Sequence, residues 1–411
     1  MRLQKMYWLV KGNYPKTLVS NPVFLVKKIM SNKPHNILYI QGVTRMGGSI
    51  ESLLGLLKGL DKKIFYPVVV TSKKGRFFEE SRSLGVETEV IKMGMWRKGK
   101  SLLRIPVSVY SIQSVIKRKN ISLVHANTLW DNPYGVIPAR LRKVPSICHI
   151  RNTFTEDKIK KYYLSKADRI ICVSDEIRSG FNGWKLKDEK TATIYNGVDT
   201  KRFNDKVKGG IIRRNFNIED REILIGVVGR VDRTKGQDLL IEAFASLNKR
   251  HENLRLMIVG ESSLRDRQYF YKLKDFSNSL NLRNKVIFTG YRKDIPEITA
   301  AFDIAVFPSL PSSNEGFGRS IIEAMAMKKP VVASATGGIP EVVVDSITGE
   351  IVPPNDSEKL ADAIEKLVID EKRRVSMGEK GYERVIEKFT MERNVKEIEK
   401  LYLSLLEDKH N

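Results

Sequence analysis

Cysteine is scarce in this sequence. Only Cys148 and Cys172 occur in 411 residues, which excludes a disulfide scaffold and a cysteine-based zinc site. Both sit inside β-rich runs, where a buried, inert thiol is expected. A reducing, cytoplasmic setting is the matching expectation. Long hydrophobic runs are also missing. No apolar stretch approaches the ~18 residues of a membrane-spanning helix. Met6–Val10 and Val23–Val26 are too short for the core of a secretory leader. Other signatures are absent: no Asp-x-Asp pair for a metal-bound diphosphate, no Walker A loop, no histidine-rich metal cluster and no Gly-x-Ser-x-Gly elbow.

Acidic residues are sparse in one half of the chain. Residues 1–200 carry 36 Lys and Arg against 15 Asp and Glu, whereas residues 201–411 carry 36 against 33. Nearly all of the net charge of +24 therefore belongs to the first half. A one-sided excess points to an anionic partner: an acidic ligand, a membrane surface or nucleic acid. The segment 1–33 holds seven of these cations and no acid, interleaved with Tyr7, Trp8, Phe24 and Leu25. It reads either as a solvated basic tail or as a membrane-surface segment.

What the sequence does contain is an ordinary globular composition, 41% hydrophobic and 29% charged, in a chain too long for one core. From Asn36 onward, short β-rich runs alternate with helix-length segments. The runs are Ile37–Ile40, Pro67–Thr71, Glu87–Ile91, Ile121–His125, Ser146–Ile150, Ile170–Val173 and Thr193–Tyr195. After a polar stretch to about Asp220 the alternation restarts with Ile223–Val228, Arg255–Val259, Val286–Thr289, Ile304–Phe307, Val331–Ala333 and Gly349–Val352. This pattern predicts two doubly wound α/β domains, each a parallel sheet wrapped by helices. Residues 34–200 form the first, 201–220 link them, and 221–385 form the second. Residues 386–411 are a final helix. Ligands of such sheets bind at the carboxyl ends of the strands, so the chemistry is expected in the loops that follow strands, in a cleft between the domains.

Five loops meet that expectation. Glu315-Gly316-Phe317-Gly318-Arg319-Ser320-Ile321-Ile322-Glu323 follows one strand and opens a helix. Its glycines allow close approach of a ligand, and unpaired N–H groups at the helix start suit a phosphate. Glu323 is placed to accept hydrogen bonds from ribose hydroxyls, and Glu315 from those of a sugar. Gly229–Gly236 follows the first strand of the second domain. There Arg230 and Lys235 are placed to neutralise a diphosphate. Gly47 and Gly48 occupy the first turn of the first domain, an acceptor or phosphate loop. Tyr291 and Arg292 follow another strand and are placed to frame a base. Thr336–Glu341 reads as a capped helix start. His125 and His149 end strands, where a lone histidine is more often structural than catalytic. Met93–Lys100 combines Trp96 with Arg97, Lys98 and Lys100, a mixture that suits either a lipid interface or a flexible basic loop.

These residues together resemble the family 4 glycosyltransferases of the GT-B fold, from about Asn36 to the C-terminus. The resemblance is carried by Glu315-x7-Glu323 with Ala324-Met325-Ala326 after it, by Gly229-Arg230-x4-Lys235-Gly236, and by Ile194-Tyr195-Asn196-Gly197-Val198-Asp199. It implies two Rossmann-like domains facing across a deep cleft, a final helix crossing back to the first domain, and a retaining, metal-independent transfer of a sugar. The donor would be a nucleotide-diphosphate sugar held by the second domain, and no cofactor or metal is implied. By position, Arg230 and Lys235 would bind the diphosphate and Glu323 the ribose. Glu315 would hold the donor sugar beside Gly316, Phe317 and Gly318. His149 would match a histidine that contacts that sugar. The acceptor would be a glycan or a lipid-linked sugar in cell-surface polysaccharide or glycolipid synthesis, reached at the cytosolic face of an anionic membrane through the basic half. A nucleotide-sugar epimerase or phosphorylase of the same fold remains an alternative, as does a partner subunit without turnover. A basic nucleic-acid-binding protein is the alternative from another class; no module that reads nucleic acid is recognisable.

Overall fold

The structure is a computed structural model that describes residues 33–44, 46–94, 96, 103–183, 188–263, 266–313 and 315–408. Segment 1–32 and Arg97, Lys98 and Lys100 lie outside the described residues.

Two sheets organise the chain. The first contains β1 (His35–Gln41), β2 (Phe65–Thr71), β3 (Glu87–Val90), β4 (Ile121–Ala126), β5 (Ser146–Ile150), β6 (Arg169–Cys172) and β7 (Thr191–Thr193). The second contains β8 (Ile223–Val228), β9 (Leu254–Val259), β10 (Val286–Gly290), β11 (Ile304–Phe307), β12 (Val331–Ser334) and β13 (Glu350–Val352). Their strand orders are β3-β2-β1-β4-β5-β6-β7 and β10-β9-β8-β11-β12-β13. Neighbouring strands are parallel in both sheets. Helices cover both faces, so the central strands β4, β5, β8 and β11 are buried along nearly their whole length. Strand order reverses between β1 and β4 and between β8 and β11, which are the switch points where ligands of this architecture sit.

The first turn at each switch point runs into a helix: Gly48–Gly59 in the first domain and Gln237–Asn248 in the second. Gly236, at φ +65°, precedes the latter; a Cβ there would lie 2.0 Å from the Pro308 carbonyl oxygen. The left-handed backbone and the close approach both require glycine.

The end of the chain is built from capped helices. Asp356, Asp370 and Thr390 each accept a hydrogen bond from the backbone three residues on, and so start the helices Ser357–Ile369, Glu371–Lys388 and Met391–Glu407. Helix Glu371–Lys388 packs on Arg319–Met325 in the second domain. The chain then crosses. Val198 N–H donates to the Phe389 carbonyl, and Met391 N–H donates back to the Val198 carbonyl, each at 2.9 Å. The last helix lays Met391, Val395, Ile398, Tyr402, Leu405 and Leu406 into the core of the first domain, among Tyr39, Leu53, Leu57 and Ile147.

Two readings of the sequence change here. Trp96 is not a lipid anchor: it is 8% exposed and packs edge-on against Tyr134 and Tyr163. Its ring is buried against those two tyrosines, so burial of its large apolar surface outweighs the neighbouring charges. Helix Arg76–Ser83 was not anticipated from the pattern; it is a short element that buries Phe77, Phe78 and Ser81.

The crossing point tolerates no side chain. A Cβ on Gly197 would stand 2.6 Å from Met391 Cα and from the Thr390 carbonyl oxygen. Gly197→Ala is expected to lower stability by about 1–3 kcal/mol, read as a lower urea midpoint. An unchanged midpoint would mean that the crossing segment yields freely.

Candidate functional site

The carboxyl ends of the two sheets face each other, and two adjoining cavities lie between them, of about 450 and about 480 Å³. Both are lined by Met46, Gly47 and Gly48 from the first domain and by Val228, Gly229, Arg230, Arg319 and Ser320 from the second. The first cavity adds Tyr291, Arg292 and Glu323; the second adds Arg151, Lys235, Glu315, Phe317 and Gly318. The loop residues singled out in the sequence therefore converge on one cleft. Gly316 is the exception. It lies at the domain seam, where a Cβ would stand 2.2 Å from the Arg151 carbonyl oxygen.

Acid and base residues in the cleft hold one another in place. Lys235 Nζ pairs with Glu315 Oε2, and Glu315 Oε1 accepts from the Gly318 N–H at 3.2 Å. Arg230 lies 3.2 Å from Asp232, whose carboxylate also accepts from the backbone and hydroxyl of Thr234. Arg292 pairs with Asp294 at 2.5 Å. Glu323 accepts from Arg319 Nη2 at 2.8 Å, and Arg319 Nη1 donates to the Gly48 carbonyl at 3.1 Å. This last contact ties the first glycine loop to the second domain. Burial pushes the Glu323 carboxyl above its ordinary range, against the pull of Arg319. At the outer rim, the Arg76 guanidinium of the first domain stands 5.5 Å over the ring of Tyr291 in the second.

His149 does not reach the cleft. It is 1% exposed and lines neither cavity. The strand runs one residue beyond it, to Ile150. Arg151, on the same side two residues on, is the residue that emerges. His149 stacks on His125 at 5.5 Å, and His125 Nδ1 lies 2.5 Å from the hydroxyl of Tyr402 on the crossing helix. Burial, with Arg151 nearby, pushes His149 well below the ordinary histidine range and His125 down to about 3. Both rings are therefore held in the neutral form at pH 7. Arg151 Nη2 lies 3.2 Å from His149 Nδ1, so the histidine orients the arginine.

Three further contributors were not read from the sequence. Arg319 sits inside the Glu-x7-Glu motif and serves both cavities. Arg151 had no motif to mark it. Glu341 does not cap its own helix: its carboxylate accepts the backbone N–H groups of Asp175 and Glu176 in the other domain, at 2.8 and 2.7 Å. Nothing local to Thr336–Glu341 announces that partner. Among the described residues, no group of three or more His, Cys, Asp or Glu side chains is placed to hold a metal ion.

Comparison with known proteins agrees with this geometry. Residues 210–384 match the family described as "Glycosyl transferases group 1", and residues 46–202 match "Glycosyltransferase Family 4". The chain belongs to family 4 of the glycosyltransferases. It is 28% identical over 364 residues to D-inositol 3-phosphate glycosyltransferase of Corynebacterium jeikeium, covering 87% of this chain and 81% of that one. It is 30% identical to the lipopolysaccharide core biosynthesis mannosyltransferase LpcC of Rhizobium leguminosarum bv. viciae, covering 60% of this chain and 68% of that one. In structure it is similar to Anabaena Alr3699/HepE in complex with UDP-glucose, with a TM-score of 0.79, 24% identity, and coverage of 90% and 99%. The fold is GT-B, two Rossmann-like domains across a cleft.

The buried histidines give a pH signature. His125 is neutral in the folded state but takes up a proton in the unfolded chain below about pH 6.5. Its contribution is therefore complete above that pH and is lost as pH falls toward 3. Between pH 6 and 4, the wild type is expected to lose stability faster than His125→Gln, by up to about 1.4 kcal/mol per pH unit. Parallel profiles in urea unfolding would show that His125 is not held neutral.

Proposed function

We propose that this glycosyltransferase moves a sugar from a nucleotide-diphosphate sugar to a glycan or lipid-linked acceptor, with retention of configuration and without a metal. The observation that carries the reading is the cleft in which Arg230 and the Lys235–Glu315 pair face the Gly47–Gly48 loop. The base and ribose would occupy the first cavity, beside Tyr291 and Glu323. The diphosphate and sugar would occupy the second. Lys235 is paired with Glu315. When a donor enters, Glu315 can turn to the sugar hydroxyls and leave Lys235 to the phosphate, so one pair positions both parts of the substrate. As the sugar–phosphate bond breaks, charge grows on the leaving diphosphate, and cations already fixed there stabilise it without reorganising. With a donor bound, Glu315 is engaged by the sugar hydroxyls, and Glu323 is paired with Arg319. This favours same-face displacement, in which the departing phosphate takes the acceptor's proton, over attack by an enzyme carboxylate.

The test is a thermal-shift screen against UDP, GDP and ADP and their glucose and mannose derivatives, with EDTA present. At about a hundredfold excess over Kd, one nucleotide family should stabilise the protein by about 2.7 kcal/mol. Glu323→Gln should weaken that ligand about tenfold or more. A shift that requires added divalent metal, or none with any nucleotide, would overturn the reading.

The acceptor side supports work at the cytosolic face of a membrane. No helix among the described residues is long and apolar enough to cross one, but Leu103, Val107 and Tyr110 are 84%, 66% and 72% exposed on one stripe at helix Ile105–Arg118. The stripe belongs to the strongly basic half of the chain. Vesicles containing phosphatidylglycerol should bind the protein, and pure phosphatidylcholine vesicles should not. Leu103→Ser with Val107→Ser should weaken that binding about tenfold or more. Equal flotation of wild type and variant would remove this stripe from the proposal.

A further inference from the structure

Arg151 differs from the paired cations of the cleft. Arg230, Lys235, Arg292 and Arg319 each have a carboxylate partner within 4 Å. The acceptors around Arg151 are all neutral. Nε donates to the Asn127 carbonyl at 3.1 Å, Nη1 to Asn196 Oδ1 at 2.9 Å and Nη2 to Asn127 Oδ1 at 2.8 Å, with His149 Nδ1 at 3.2 Å. One of the five N–H groups, on Nη1, has no partner among the described residues.

The electrostatics of this position are unfavourable to a cation. Burial and the nearby Arg319 cation both act against the charge, and no carboxylate acts for it. A guanidinium keeps its proton even so. A partly buried cation without an anion costs free energy unless something supplies the counter-charge. The surroundings fix its place rather than neutralise it. Asn127 is itself held by Gln41 and by the Ser49 carbonyl, and Asn196 accepts from Ser52. Behind it, His149, His125 and Tyr402 form a neutral, buried backing. Arg151 lines the second cavity with Glu315, next to the backbone bridge between Asn152 and Glu315.

We infer that Arg151 is the anion-recognising group of the second cavity, seating a phosphate or carboxylate oxygen of the bound donor. The inference rests on the nucleotide-sugar reading above and adds to it a residue that no motif marks. Two sources supply such an oxygen. One is the β-phosphate, present in every nucleotide-diphosphate donor. The other is a carboxylate on the transferred sugar, present only in uronic-acid donors.

Calorimetric titration of the full chain separates them. The variants are Arg151→Gln, which removes the charge, and Arg151→Lys, which keeps it; circular dichroism checks that both are folded. The probes are UDP, UMP, inorganic pyrophosphate, UDP-glucose and UDP-glucuronate, with the GDP and ADP counterparts of the first two. With the β-phosphate as source, Arg151→Gln should weaken diphosphate and pyrophosphate about 10- to 100-fold while monophosphate binding stays within about twofold. With the sugar carboxylate as source, wild type should prefer UDP-glucuronate to UDP-glucose by about tenfold or more, and Arg151→Gln should erase the preference. In either case Arg151→Lys should recover part of the loss. Unchanged affinities in Arg151→Gln would overturn the inference while leaving the nucleotide reading intact. Pyrophosphate binding that depends on Arg151, with no nucleotide bound, would do the reverse. If the wild type binds none of the probes, both fall. A loss for monophosphate as large as that for diphosphate would also overturn the inference, because it marks a general disturbance of the cleft.

Discussion

The cleft depends on one seam of close backbone contact between the two domains. Gly316 lies against the Arg151 carbonyl, and a Cβ on Gly338 would stand 2.9 Å from Ser174 Cβ. Asn152 and Glu315 pair through their backbones at the same place. The Glu341 carboxylate then meets the two N–H groups that open helix Asp175–Ser179. Because the seam runs directly beneath the second cavity, the spacing between Arg151 and the Glu315 loop is set by backbone geometry and not by flexible side chains. The upper part of the cleft is joined more lightly, by Arg319 to the Gly48 carbonyl and by Arg76 over Tyr291. Such contacts between side chains and the opposite domain can be exchanged for contacts to a ligand at little cost.

Most of the charge in the cleft is arranged as acid–base pairs; among the described residues Arg151 and Lys293 have no carboxylate partner. Pairing lets several guanidinium and ammonium groups crowd a partly buried space without prohibitive repulsion. It also stores them in the geometry a polyanionic substrate needs, since the donors are already fixed when the anion arrives. The large positive excess of the first half is a separate matter. Its effect is a long-range positive field on the side of the first domain.

Much of this was legible in the sequence. The thirteen strands lie where the β-rich runs predicted them, within a few residues at their ends. β7 is the largest shift, Thr191–Thr193 against the expected Thr193–Tyr195. Strands buried on both faces leave a continuous apolar signal, and each is followed by a turn or glycine that punctuates it. That the glycine loops, Arg230, Lys235, Glu315 and Glu323 line one cleft was legible because each lies in or just after a loop that follows a strand. What the sequence concealed depends on contacts between distant segments. His149 and Arg151 share one side of a strand, and only the depth of that strand in the sheet decides which of them meets solvent. Glu341 and Asp175 are 166 positions apart. Trp96 lies in a basic context that reads as surface, whereas Tyr134 and Tyr163, which bury it, come from later elements.

The crossing helix also bears on how the chain comes to be folded as it is made. Its apolar face completes the core around Tyr39 and Leu53, yet residues 391–407 are translated after the whole second domain. The first domain must therefore wait, with that flank of its sheet uncovered, while roughly two hundred further residues emerge at ~5–20 per second. For some tens of seconds the second domain is free to fold on its own while the first remains unfinished. A nascent chain in that state exposes apolar surface of the kind that holding chaperones recognise.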